Sequence, residues 1–153
     1  MKASSASAKR ARSVSARSTV RPAQPFTGFR FAIGIEGLQR TGAVEVVLPS
    51  ARIVDAPRKR RTVQFEPLVL RRGLTDLTDW YDWWNDARRL TRAPRRLVSV
   101  IVLRADGSDG VRWLFPESIP VGYALSPLNA LTSSVVVESL ELRIGNFEAF
   151  QPE

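Results

Sequence analysis

The sequence contains no cysteine and no histidine. The lack of cysteine excludes a disulfide scaffold and a thiol nucleophile, and the lack of both residues excludes the usual Cys/His zinc sites. Without histidine, the Ser-His-Asp arrangement of many hydrolases is excluded as well. No apolar run approaches the length of a membrane-spanning helix. These absences favour a soluble globular protein and leave few routes to an enzyme.

The chain has 153 residues, of which 44% are hydrophobic, and this length is enough to bury one core. Its formal net charge of +8 is unevenly distributed. Residues 1–25 carry six basic side chains and no acidic one, whereas the rest of the chain carries 17 basic and 15 acidic side chains. The basic character therefore belongs mostly to the N-terminal segment and does not indicate that the whole protein binds nucleic acid.

Residues 1–25 are rich in Ser, Ala and Arg, and we expect them to form a flexible basic arm that ends at Pro22 and Pro25. A solvated terminus is the favoured interpretation. A mitochondrial transit peptide and a nonspecific phosphate-binding arm are the alternatives, because the segment is basic and free of acid. No apolar stretch of the kind found in secretory signals is present, so no signal peptide is predicted.

From residue 26 onward the pattern is typical of β-strands. Apolar side chains alternate with other residues over 29–36, which predicts a half-buried strand. A second strand begins at Val44 and is interrupted at Pro49. A third strand covers residues 63–71 and is broken or edged by Pro67.

The second half of the chain continues the strand pattern. Residues 97–103 show little alternation, which predicts a strand buried on both faces. A hairpin turn is predicted at residues 106–110, and the return strand begins at Val111. Prolines and a glycine make residues 116–127 irregular or edge-like. Residues 134–144 are predicted to be the final strand.

One helix is predicted between these two groups of strands, over about residues 76–90, with Thr75 or Asp76 as its N-cap. Trp83 lies beside the apolar stripe of this helix rather than in its centre. The stripe itself, at helical spacing, consists of Leu77, Trp80, Tyr81 and Trp84. Six or seven strands and one helix predict a mainly β fold, a two-sheet sandwich or barrel with the helix packed on it.

The acidic residues do not form a metal site of a known kind. Asp76, Asp79, Asp82 and Asp86 share the helix, but no histidine or oxygen-rich loop accompanies them. The segment 106–110 resembles a calcium loop only superficially, because the downstream glutamate is missing. We therefore predict no catalytic, cofactor-binding or metal-binding residue and no cofactor.

An ordered series of short motifs runs through residues 26–150. Its members are residues 26–31, 37–38, 70–75, 80–86, 98–103, 106–107, 112–113, 120–123, 128–130 and 137–142. In order and spacing, this series resembles the inner tube proteins of contractile phage tails and of extracellular contractile injection systems, a family that is similar to haemolysin-coregulated protein.

The resemblance implies that residues 26–153 form a tail-tube β domain of two sheets and a helix. It implies that six subunits close into a ring with a continuous inner β-barrel, and that the rings stack into a hollow, non-catalytic tube. Contraction of a sheath would drive this tube through a target membrane, without insertion of the subunit itself. The implied partners are the sheath, spike or baseplate and tape-measure proteins and a cargo in the lumen. The implied particle is assembled in the bacterial cytoplasm and either stays there or is released by lysis.

The chain departs from the family pattern just before its Arg-Gly-Leu-Thr motif. Family members usually carry a longer loop there, whereas this chain carries a basic loop of Pro57, Arg58, Lys59, Arg60 and Arg61. The N-terminal arm is also longer than usual. Both differences leave room for a specialised ring, such as the initiating ring that joins the tube to the spike.

Seven residues are candidates for contacts between subunits or rings. The four basic residues of the loop can line the lumen or contact the next ring, and a solvated loop is the alternative. Arg71 and Arg72 can pair with acids of an adjacent subunit, and an exposed strand end is the alternative. Trp83 is a candidate because it lies off the main stripe and because tryptophan is enriched at interface hot spots.

A structural tube subunit is the favoured function. A nucleic-acid-binding protein that uses the basic arm is the second hypothesis, and the near-neutral body of the chain and the lack of a recognition motif oppose it. An enzyme is the weakest hypothesis, because no nucleophile–base pair or metal cluster can be assembled from these residues.

Overall fold

The computed structural model describes residues 30–39, 41–55, 57–58, 60–92 and 94–152. The predicted arm 1–25 therefore lies outside the described residues. The described residues form ten β-strands and one α-helix. In chain order these are β1 Phe31–Ile35, β2 Thr41–Gly42, β3 Glu45–Val47, β4 Ala51–Val54, β5 Thr62–Phe65, β6 Leu68–Gly73, α1 Asp79–Arg89, β7 Arg96–Leu103, β8 Asp109–Leu125, β9 Val137–Arg143 and β10 Glu148–Phe150.

One long strand, β8, joins two antiparallel sheets. Its first part pairs with β7 and with β10, and the sheet continues through β1 to β2. Its second part pairs with β9, and that sheet continues through β6 to β3. The strands β4 and β5 form a separate two-stranded hairpin. The predicted mainly β fold with one helix is confirmed, although the described strands do not close into a barrel.

The core lies between the two sheets and beneath α1. Alternate side chains of β6 and β9 point into it, as the period of two in these segments predicts. It is formed by Ile33, Ile35, Leu68, Leu70, Trp80, Trp83, Val98, Val100, Phe115, Leu140, Leu142 and Ile144. Burial of this apolar surface from both sheets and the helix is what drives the three parts together.

The strand β8 differs from the irregular segment that was predicted. It is a continuous strand of 17 residues that passes through Pro116 and Pro120. It tolerates these prolines because its register shifts between Phe115 and Ser118 and again between Pro120 and Gly122. Such β-bulges remove one residue from the hydrogen-bond ladder and bend the strand. The prolines therefore mark the place where β8 passes from one sheet to the other.

The interruptions at Pro49 and Pro67 occur as predicted, since β3 and β4 are separate strands and so are β5 and β6. The hairpin turn at residues 106–110 is also confirmed, with Gly107 at a φ of 84°. The strand β10 was not predicted. Its side chains are exposed, so its three residues carry no alternating burial pattern for a sequence to display.

The helix begins later and faces differently than predicted. Its N-cap is Thr78, without a capping hydrogen bond from the side chain, and Leu77 lies before the first turn. Trp80 and Trp83 are the buried residues of the helix, whereas Tyr81 is partly exposed. The buried side of the helix therefore carries Trp80 and Trp83, with Trp84 partly buried against the core, whereas Leu77 and Tyr81 of the predicted stripe are exposed.

We predict that Trp83→Ala lowers the free energy of unfolding by about 3–5 kcal/mol, because it leaves a large cavity in the core. Leu77→Ala should change this free energy by no more than about 0.5 kcal/mol, because the Leu77 side chain is 41% exposed. Denaturant unfolding of both variants, followed by circular dichroism, measures the difference. Equal losses in the two variants would contradict the observed orientation of α1.

Candidate interface surfaces

Arg72 lies inside the subunit rather than on its surface. Its side chain is 3% exposed, its Nε donates a hydrogen bond to Glu138 Oε2 at 2.8 Å, and its Nη2 donates one to Asp79 Oδ1 at 2.5 Å. Tyr123 donates a hydrogen bond to the other oxygen of Glu138 at 2.8 Å. The guanidinium also stacks over the Trp80 ring, 4.1 Å from its centroid. We call Arg72, Asp79, Glu138 and Tyr123 the buried network.

The buried network changes the acid–base properties of two of its members. Burial lowers the pKa of Arg72, but the hydrogen bonds and charges of Asp79 and Glu138 outweigh this effect and raise that pKa above its ordinary value. Burial, the hydrogen bond with Glu138 and the charge of Glu138 raise the pKa of Tyr123 to about 12. Both shifts keep these groups in the protonated state that the network requires.

This geometry corrects the expected role of Arg72. Its acidic partners belong to its own chain, on β9 and α1, so it cannot pair with an adjacent subunit without leaving a buried charge unpaired. Strand alternation explains the difference from Arg71, because neighbouring side chains in β6 point to opposite faces. Arg71 points outward, and its Nη1 lies 2.7 Å from Oε2 of Glu45 on the neighbouring strand β3. The Arg71 side chain is 40% exposed and the Glu45 side chain is 50% exposed.

Trp83 is likewise an interior residue, contrary to its expected place at an interface. Its side chain is 1% exposed, and its Nε1 donates a hydrogen bond to the Pro94 carbonyl at 2.9 Å. The guanidinium of Arg96 lies 5.7 Å from its ring centroid. Trp83 therefore fixes the segment after α1 against the core.

The basic loop forms the tip of the β4–β5 hairpin. Arg58, Arg60 and Arg61 are exposed there, and Arg58 adopts a φ of 69°. Arg61 makes a long ion pair with Asp55, at 3.4 Å between exposed side chains. Lys59 lies outside the described residues. The described part of the loop thus carries three exposed guanidinium groups, and their contact with another subunit or ring stays a prediction.

Two apolar surfaces were missed in the sequence. One lies in the segment between β8 and β9, where Leu131 is 95% exposed and Leu128 and Val135 are also exposed. The other follows the edge strand β3, where Val44 and Val47 are exposed. For the segment between β8 and β9, the signal available in the sequence was an apolar side chain within a non-periodic segment, but such a residue can equally be buried under a loop. These exposed apolar side chains are therefore candidate sites of association.

No helix among the described residues combines the length and apolar character needed to cross a membrane. The described part of the chain also contains no group of three or more Asp, Glu, His or Cys residues placed to hold a metal ion.

In the turn at residues 106–110, the Asp106 carboxylate accepts hydrogen bonds from the hydroxyl and the backbone N–H of Ser108. These hydrogen bonds lower the pKa of Asp106.

The family model described as T4-like virus tail tube protein gp19 matches residues 27–148. The chain belongs to this tail tube protein family. The resemblance seen in the ordered motifs is thereby confirmed. Members of the family are structural tube proteins, so the chain is a structural protein and not an enzyme. No curated protein sequence matches the chain.

Solved structures of contractile injection systems share the fold. A chain in the 6-fold symmetrised cryo-EM structure of the anti-feeding prophage baseplate is 16% identical, with a TM-score of 0.63 over 84% of this chain and 97% of that one. A chain in the extended sheath–tube complex of the PVC extracellular contractile injection system is 14% identical, with a TM-score of 0.65 over 84% and 93%. A chain in the tube-terminating cap of the anti-feeding prophage is 11% identical, with a TM-score of 0.67 over 91% and 99%.

Glu138→Ala should lower the free energy of unfolding by about 3–5 kcal/mol, because it leaves the buried Arg72 charge without one of its partners. Glu45→Ala is the matched control, since it removes the acid from the neighbouring but exposed pair with Arg71 and should cost at most about 1 kcal/mol. Urea unfolding of the two variants compares them directly. A cost for Glu138→Ala as small as that for Glu45→Ala would contradict the buried network.

Tyr123 should titrate with a pKa of about 12 rather than the ordinary 10.0. Since the pKa is raised on folding, the neutral phenol stabilises the fold fully below pH 10, and this contribution is lost as the pH rises towards about 12. Tyr81→Phe leaves Tyr123 as the only tyrosine of the chain, and its phenolate absorbance can then be followed with pH. A midpoint near 10 in protein that circular dichroism shows to be folded would contradict this prediction.

Proposed function

We propose that this protein is a ring-forming subunit of the inner tube of a contractile phage tail or injection system. Six copies form a ring, and the rings stack around a lumen. The observation that carries the proposal is the match of the tail tube family model to residues 27–148. The 6-fold symmetry stated for the baseplate that contains a chain of similar fold supports the count of six.

The described surface of the subunit supports association. The strands β2 and β3 end the two sheets, and within the described residues no further strand pairs with them. Such edges are sites for pairing with another chain, and closure into a ring satisfies them. The exposed apolar side chains of β3 and of the segment between β8 and β9 add surface that association can bury.

The proposed partners follow from this position in the particle. They are a sheath whose contraction drives the tube through a target membrane, spike or baseplate and tape-measure proteins at its end, and a cargo in its lumen. Chains of similar fold occur in sheath–tube, baseplate and cap complexes, which supports assembly into such a structure. The proposed location is a phage tail or injection particle that is assembled in the bacterial cytoplasm.

A second position is an initiating ring that joins the tube to the spike. The basic loop at the tip of the β4–β5 hairpin favours it, because this loop replaces the longer one that family members usually carry, and its arginines are exposed. For the main tube ring and for the initiating ring alike, we propose that the same five basic residues contact a neighbouring subunit or ring. These are Arg58, Lys59, Arg60, Arg61 and Arg71.

Electron microscopy of the full chain at high concentration, and of native particles, tests the proposal. We expect rings of six subunits, and in native particles a copy number per particle close to that of the sheath subunit for a main tube. A copy number of six indicates the initiating ring instead. If the chain occurs only as a monomer, both in concentrated solution and in particles, the proposal is wrong.

A further inference from the structure

A surface cleft lies at the C-terminal end of α1, and arginines from two parts of the fold surround it. Its volume is about 550 Å³, within the range of ligand-binding sites. Its lining residues are Ala87, Leu90, Thr91, Arg92, Arg95, Ile119 and Arg143. We call this feature the arginine cleft.

The charge of the arginine cleft is not neutralised within the described part of the chain. Arg92 and Arg143 are exposed and form no ion pair or side-chain hydrogen bond with any described residue. Arg95 has only a long contact with Glu117, at 3.8 Å between exposed side chains. Three guanidinium groups that share one concave surface repel each other, and a bound anion relieves this repulsion.

Structural roles explain other arginines of this region but not those of the cleft. Arg88 donates a hydrogen bond to Asn85 and lies over Trp84, and its position in the last turn of α1 also suits the helix dipole. Arg96 donates a hydrogen bond to the Glu36 carbonyl. Arg143, by contrast, reaches the cleft from β9, a different element, so neither the helix dipole nor local sequence accounts for it.

Besides the arginines and Thr91, three apolar residues line the arginine cleft. Leu90 is 54% exposed, and Ala87 and Ile119 are half-buried beside it. A site that combines several arginines with an exposed leucine suits a ligand with carboxylates next to an apolar side chain. Among the described residues, no aromatic side chain lines the cleft to stack with a nucleic-acid base. Its chemistry therefore favours an acidic peptide over a nucleic acid.

We infer that the arginine cleft binds an acidic segment of a partner protein, whose carboxylates pair with Arg92 and Arg143 and whose apolar side chain covers Leu90. Within this chain the alternating segment Glu138–Leu142 lies in β9, where it is already paired with β6 and β8, so it is a poor source of such a ligand. The inference does not depend on ring formation, so it can fail or hold independently of the proposed function.

Fluorescence anisotropy of the full chain with a labelled peptide of alternating glutamate and leucine tests the inference. Arg92→Gln combined with Arg143→Gln should weaken binding by about tenfold or more. The control combines Arg52→Gln with Arg60→Gln, which removes the same charge from the exposed β4–β5 hairpin, and it should change the affinity by less than about twofold. Leu90→Ser should weaken binding of this peptide but not of oligoglutamate.

Each other outcome overturns the inference. Absence of peptide binding, or equal weakening in the cleft and control variants, would show that the cleft is not the site. Stronger competition by inorganic phosphate or by a single-stranded oligonucleotide than by unlabelled peptide would assign a phosphate ligand instead. Loss of self-association in the cleft variant alone, measured by analytical ultracentrifugation, would make the occupant a second copy of the chain.

Discussion

The arrangement of this subunit depends on the pairing of one buried positive charge. Arg72 on β6 reaches Glu138 on β9 and Asp79 on α1, and Tyr123 on β8 completes the contact with Glu138. An unpaired charge in the interior is costly. Movement of α1 away from the sheet would therefore either expose Arg72 to solvent or leave its charge buried without the Asp79 partner. The network thus fixes the position of the helix, while the apolar core provides the main driving force for folding.

The packing of α1 removes several large side chains from the surface. Trp80 and Trp83 are used inside the subunit, as are the side chains that pair with Arg72. What remains outside is the β4–β5 hairpin, the apolar segment between β8 and β9, the edge strand β3 and the arginine cleft. These surfaces are the candidates for contacts with other molecules in a protein of a structural tube family.

Much of the fold could be predicted because its signals are local. Alternation in β1, β6 and β9, the turn around Gly107 and the breaks at Pro49 and Pro67 each depend on only a few neighbouring residues. The prediction failed where a distant partner decides the outcome. The prolines of β8 predicted irregular structure. The strand nevertheless continues through β-bulges at this place, because β7 pairs with β8 before the bulges and β9 pairs with it after them.

The sequence by itself determined the mainly β class, the single helix, the absence of Cys/His chemistry and membership of the tail tube family. Composition, hydrophobic periodicity and the order of motifs can be read from the sequence without knowing which residues are neighbours in space. Only the tertiary structure decided that Arg72 and Trp83 lie inside and that Arg92 and Arg143 share one cleft. Alternation in β6 places Arg72 on the same face as Leu68 and Leu70, but no local pattern records that Glu138 and Asp79, which are far away in the sequence or on another element, meet it there.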